Sequence, residues 1–181
     1  HLGTEIPFDQ EFTDDFSGTD LNATRWGYDQ GDWQGAGASL HVDGNVTASI
    51  GSNNSSFYES VRANSVLRVN SNWIVSAKTF AQSTPGRSSN VLLSLWDCDS
   101  NGSGNFCDPS IGVGDGWIHT GIWYEDANGT EHWVGKTFGS PLPTYNQAHV
   151  RFRNDAATKT LYAEYNINGV GPWSLAMSIK W

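Results

Sequence analysis

Trp73-Ile74-Val75-Ser76-Ala77-Lys78-Thr79-Phe80 is built almost wholly of β-branched, aromatic and small residues, with no helical spacing of its apolar positions. A side-chain period of two sends neighbours to opposite faces of an extended chain, and such residues fit a pleated surface. The stretch reads as a strand. The same reading extends outward to Asn90 to Trp96, Trp117 to Tyr124, Thr130 to Lys136, His149 to Arg153 and Leu161 to Ile167. Shorter candidates are Glu11 to Phe16, Ser39 to Val42, Val46 to Ile50, Phe57 to Ser60 and Val66 to Val69. Between them stand Asp43-Gly44, Asn128-Gly129, Asn168-Gly169 and the Asn/Ser segment after Gly51, all turn chemistry. No helix is expected. About ten or more short antiparallel strands joined by polar turns predict an all-β, two-sheet jelly-roll sandwich. It is read as a single domain over residues 1–181, with Gln34 to Ala38 and Asp99 to Gly116 as the most loop-like regions.

Nineteen acids against ten bases give a net charge of −9, which repels nucleic acid and anionic membranes. Apolar runs such as Val91-Leu92-Leu93 and Ile122-Trp123-Tyr124 are far too short to span a bilayer. Asn-x-Ser/Thr matches at Asn22, Asn45, Asn53, Asn54, Asn101 and Asn128 lend weak support to secretion. A leader removed before His1 is the corresponding expectation.

The segment from Asp97 to Asp108 places oxygen-bearing side chains at loop positions one, three, five, nine and twelve, with a glycine at six. That is a calcium-loop pattern, with Asp where an EF-hand carries its last Glu. Asp97, Asp99, Asn101 and Asp108 are the expected ligands of a structural calcium ion. The chain's two cysteines, Cys98 and Cys107, lie inside this loop. Their spacing fits a disulfide formed in an oxidising, secretory compartment, contributing roughly 2–3 kcal/mol by chain-entropy reasoning. An Asn/Gly/Ser-rich surface turn is the plainer alternative. No helix flanks the loop: Val91 to Trp96 enters as a strand, and Pro109 to Gly116 is expected to leave as coil.

Two further motifs lie at the ends of the chain. Glu11-Phe12-Thr13-Asp14-Asp15-Phe16-Ser17-Gly18-Thr19-Asp20-Leu21 is followed by Arg25-Trp26. His149 to Asp155 is followed by Thr160 to Gly169 and Trp173. Together they resemble the opening strand and closing hairpin of concanavalin A-like (laminin G-like) lectin/glucanase domains. The resemblance implies a jelly roll whose first and last strands pair, and it implies a carbohydrate ligand. It covers the middle of the chain only loosely.

Nine tryptophans make aromatic sugar platforms a natural candidate, because an indole face matches the C–H face of a pyranose. Trp33, Trp117, Trp123 and Trp133 are the expected ligand-binding residues, while Trp26 and Trp173 fit packing roles. Trp96 precedes the calcium-type loop.

Catalysis finds less support. Glycoside hydrolysis needs two carboxyl groups about 5–5.5 Å apart for retention or about 6.5–9.5 Å apart for inversion. The Glu-x-Asp-x-Glu type of strand that the resemblance would supply is absent. Glu125 and Asp126 are adjacent and would face opposite ways, and Glu59 and Glu164 have no evident acidic partner. His119, Tyr124 and Arg62 could serve a polysaccharide lyase, and His1 with His41, His119, His132 or His149 a copper site, but no spacing enforces either. No catalytic residue is assigned. The expected protein is a secreted, calcium-stabilised, lectin-like carbohydrate-binding domain. A polysaccharide hydrolase or lyase, and a protein-binding adhesion module, are the alternatives.

Overall fold

The computed structural model describes residues 15–20, 22, 26–30, 39–42, 46–49, 59–63, 67–68, 70–81, 90–95, 107–126, 128–138 and 146–180. Among them are strands and turns and no helix, and the chain divides into two compact units, residues 1–67 and 68–181. Among the described residues no helix is long and apolar enough to cross a membrane.

The first unit holds β1 (Trp26–Gln30), β2 (Ser39–Val42), β3 (Val46–Ser49) and β4 (Glu59–Ala63). β2 and β3 form an antiparallel hairpin, and β1 pairs antiparallel with β4. Of the expected Glu11 to Phe16 strand only Asp15 and Phe16 are described, and both lie outside any strand. Phe16 adopts a left-handed φ of 54°, and its ring meets that of Trp26 at 5.2 Å. Two residues of the family-like opening motif thus pack together. The implied pairing of first and last strands falls on Glu11 to Phe16, most of which lies outside the described residues.

The second unit holds β5 (Trp73–Ala81), β6 (Asn90–Ser94), β7 (Cys107–Gly114), β8 (Trp117–Glu125), β9 (Glu131–Phe138), β10 (Asn146–Asp155), β11 (Thr160–Asn166) and β12 (Ser174–Lys180). They form two antiparallel four-stranded sheets, ordered β12-β11-β10-β5 and β6-β7-β8-β9. Ala148, Val150, Phe152, Leu161 and Ala163 of one sheet and Ile111, Val113 and Ile118 of the other are buried in one hydrophobic cluster. The unit is therefore a β-sandwich, its core made by alternate residues of two facing sheets. Along β5 the alternation is regular: Trp73, Val75, Ala77, Thr79 and Ala81 turn inward, while Ile74, Ser76, Lys78 and Phe80 are exposed.

The expected coil from Pro109 to Gly116 is corrected by β7, the most buried strand of its sheet. Pro109, Ser110 and the glycines resemble a loop, but each fits its place. A Cβ on Gly112 would run into the Val91 carbonyl and the Leu92 backbone, so close strand approach requires glycine there. Asp115 (φ 49°) and Gly116 (φ 85°) both take positive φ, the geometry of a two-residue type I′ hairpin. β12 also went unread in the sequence. It joins β11 through a bulge at Ala163/Glu164.

Candidate functional site

β8 and β9 pair with Glu125 opposite Glu131, Trp123 opposite Trp133, Gly121 opposite Gly135 and His119 opposite Thr137. These residues have the parity opposite to Ile118 and Thr120, which are buried, so they stand on the outer face of the sheet. Trp123 is 41% and Trp133 53% exposed, and their ring centroids lie 6.1 Å apart with the planes tilted by 42°. The two glycines explain how the pair sits. A Cβ on Gly121 would meet the far ring of the Trp133 indole, and one on Gly135 would lie 2.7 Å from its Nε1. Trp133 therefore lies down across two bare stretches of backbone. Two adjacent indoles thus stand exposed on one sheet face, forgoing apolar burial that the core would reward.

Of the four tryptophans expected to bind ligand, Trp123 and Trp133 are brought into contact. Trp117 shares their strand face but stands six residues from Trp123, roughly 20 Å away at about 3.3 Å per residue. Trp33 lies outside the described residues, as does Trp96.

The calcium-type loop is described only at its end. Asp97, Asp99, Asn101 and Cys98 lie outside the described residues, while Cys107 and Asp108 begin β7. Asp108 pairs with Trp123, so one rung runs Asp108, Trp123, Trp133 across three strands. Cys107 is a half-buried free thiol, and no disulfide occurs among the described residues. Burial, then the neighbouring Asp108 charge, pushes the Cys107 thiol pKa up. No group of three or more His, Cys, Asp and Glu side chains suited to a metal converges among the described residues.

The acidic pair missed in the sequence is Glu125 with Glu131. Glu125 and Asp126 do diverge, because Asp126 turns into the hairpin. Its Oδ1 accepts from the N–H groups of Asn128 (2.9 Å) and Thr130 (3.0 Å), and its Oδ2 lies 2.9 Å from His132 Nε2. His132, then Thr130 and Asn128, hold the Asp126 carboxyl below its ordinary pKa. The turn closes on Gly129 (φ 77°), whose N–H donates to the Asp126 carbonyl. The Asp126 N–H donates to the Thr130 carbonyl, so the loop is centred on Asn128 and residue 125 aligns with 131, whereas a two-residue Asn128-Gly129 turn would align it with 132. Like charges directly opposite on a sheet oppose folding by roughly 0.2–1 kcal/mol.

Two of the lyase candidates, His119 and Tyr124, stand on opposite faces of β8. His119 Nε2 lies 2.8 Å from the Gly114 carbonyl and so donates to it, leaving Nδ1 to face the Thr137 hydroxyl at 3.5 Å. Tyr124 has the opposite parity and stacks on His132 at 5.1 Å. For the copper alternative, His1 lies outside the described residues, and His119 and His132 already hold hydrogen bonds. Glu164 is engaged on the other sheet, by Arg151 Nε at 2.6 Å and Arg153 Nη2 at 3.1 Å.

No family model matches the chain, and no curated protein or solved structure is found similar to it. Fold and face together define a class, a β-sandwich with an exposed tryptophan pair seated on glycines.

Proposed function

We propose that this chain is a carbohydrate-binding domain of lectin-like character whose platform is the Trp123–Trp133 pair. The observation that carries this reading is the exposed, contacting indole pair on the outer face of β8 and β9. Two adjacent aromatic faces suit consecutive sugar rings, and the nearby carboxylates and the Thr137 hydroxyl offer partners for sugar hydroxyls. The end motifs that resemble concanavalin A-like domains point to the same ligand class and to a jelly-roll connection. Export from the cell fits the sequons.

The Asp97–Asp108 loop is assigned to a structural calcium ion. Asp108 shares a rung with both tryptophans, so ordering this loop would steady the platform. The ion would supply fixed positive charge and loop order.

A glycan array followed by titration calorimetry tests the reading. The hits should lose at least about tenfold in affinity in Trp133→Ala and Trp123→Ala, in line with the weight that buried aromatic anchors carry in binding. Absence of any glycan hit, or hits untouched by both substitutions, would overturn it. The directly opposed Glu125 and Glu131 favour one second reading, a glycoside hydrolase on the same face. Turnover of a hit, abolished by Glu125→Gln or Glu131→Gln, would move the protein to that class.

A further inference from the structure

On the outer positions of β8 and β9 there is no lysine or arginine. Lys136, the single basic residue of those two strands apart from histidines, has the inward parity of His132 and Val134. Glu125 and Glu131 stand directly opposite each other one rung beyond the tryptophan pair. Among the described residues neither carboxylate meets a hydrogen bond or an ion pair. The nearest histidines are spoken for, His132 by Asp126 and His119 by the Gly114 carbonyl. Asp126 itself is satisfied within its turn.

Two like charges held side by side, with no counter-charge on them among the described residues, break a local rule of sheet pairing. Such breaks mark functional positions more often than structural ones. A cationic ligand would supply the compensating charge. Next to the carboxylates lie two indole faces, and these attract cations through their ring quadrupole. A carboxylate pair joined to an aromatic pair is complementary to a protonated amine carried on an apolar ring face. From this geometry we infer that the site selects glycans bearing free amino groups, polymers of hexosamine that are not acetylated, over neutral or acidic glycans. The tryptophans stack on the sugar rings and Glu125 and Glu131 take the ammonium groups. This rests on the carbohydrate-binding reading above and names its ligand class.

The test is calorimetric titration of the whole chain with three oligosaccharides of equal length. One is a glucosamine oligomer, one its fully N-acetylated counterpart, and one a neutral β-glucan, all in mildly acidic buffer that keeps the amines protonated. At low salt the glucosamine oligomer should bind on the order of tenfold tighter than the other two, and added salt should shrink that gap, because exposed charge pairs are screened. Glu125→Gln and Glu131→Gln, both folded by circular dichroism, should each remove about three- to tenfold of the glucosamine affinity and leave the other two sugars unchanged. Equal binding of all three sugars would overturn this inference and leave the carbohydrate-binding reading standing, as would equal losses for every sugar in the Gln variants. Binding of none of the sugars, or binding indifferent to Trp133→Ala, would remove the platform itself and the inference with it.

Discussion

Single glycines decide how the tryptophan face is built, and two of them make opposite predictions. At Gly112 an added methyl meets backbone of the neighbouring strand, the Val91 carbonyl and Leu92 Cα, which cannot yield without opening the β6–β7 ladder. Gly112→Ala should destabilise the protein by about 3 kcal/mol, the upper part of the overpacking range, and denaturant unfolding would measure it. At Gly121 the methyl meets only the Trp133 indole, the free end of an exposed side chain that can swing away. Gly121→Ala should therefore stay within about 1 kcal/mol of the parent while its near-ultraviolet dichroism changes and glycan affinity falls. A Gly121→Ala protein that unfolds early, or that keeps full affinity, would contradict the seat assigned to Trp133. The aromatic types were legible from the sequence, and Trp123 and Trp133 share one surface. Their contact was not legible, since it depends on which residue of β9 faces which residue of β8.

At the scale of elements, β11 is buried along most of its length because its outer face is covered by its own neighbours. Arg151 stacks 4.1 Å above the Trp173 ring and Arg153 4.1 Å above Tyr162, and both reach Glu164 between them. Trp173 thus takes the packing role expected of it. Burial alone would push the Glu164 carboxyl up. Hydrogen bonds from Arg153 and Arg151, with their charges, outweigh it and hold the group below its ordinary pKa. Because the folded pKa is depressed, the unfolded chain binds the proton more readily. The stabilisation is fully present above the unfolded Glu pKa, about 4.3, and is lost as pH falls through the folded value. The thermal midpoint should accordingly drop below about pH 4.5. Glu164→Gln should lower the midpoint at neutral pH, by a loss on the order of 2 kcal/mol for charge-assisted hydrogen bonds, and should flatten the acid decline. Identical pH profiles for the two proteins would sink this account. Strands of strong alternation, such as Trp73–Ala81, were readable because one face is wet and the other dry. β7 was not: buried on both faces and interrupted by Pro109 and three glycines up to Gly116, it carries no amphipathic period. Its hairpin signal, Asp115-Gly116, was nonetheless present in the sequence.

For the whole molecule, charge is sorted across the sandwich of the second unit. Lys78, Arg151, Arg153 and Lys180 occupy outer positions of the β12-β11-β10-β5 sheet, four of the ten basic residues in the chain. The outer positions of β8 and β9 carry acids instead. An ion held in the Asp97–Asp108 loop would bind the folded chain alone and so raise its stability by mass action. Chelation with EDTA should lower the thermal midpoint and added calcium restore it, with a smaller restoration in Asp108→Asn. A midpoint unmoved by EDTA, with no calcium by elemental analysis, would end the metal assignment. What the sequence determined by itself was local: strand-forming composition, turn residues and an acidic balance, because each depends on a residue and its near neighbours. Register and strand order belong to the tertiary structure alone. Only the pairing of β8 with β9 lays Trp133 over two glycines and sets Glu125 against Glu131. Only the packing of two sheets turns the loop-like run after Cys107 into a buried strand, because burial on both faces is a property of neighbours the local sequence does not name. Contacts between distant segments are chosen by the free energy of the whole core.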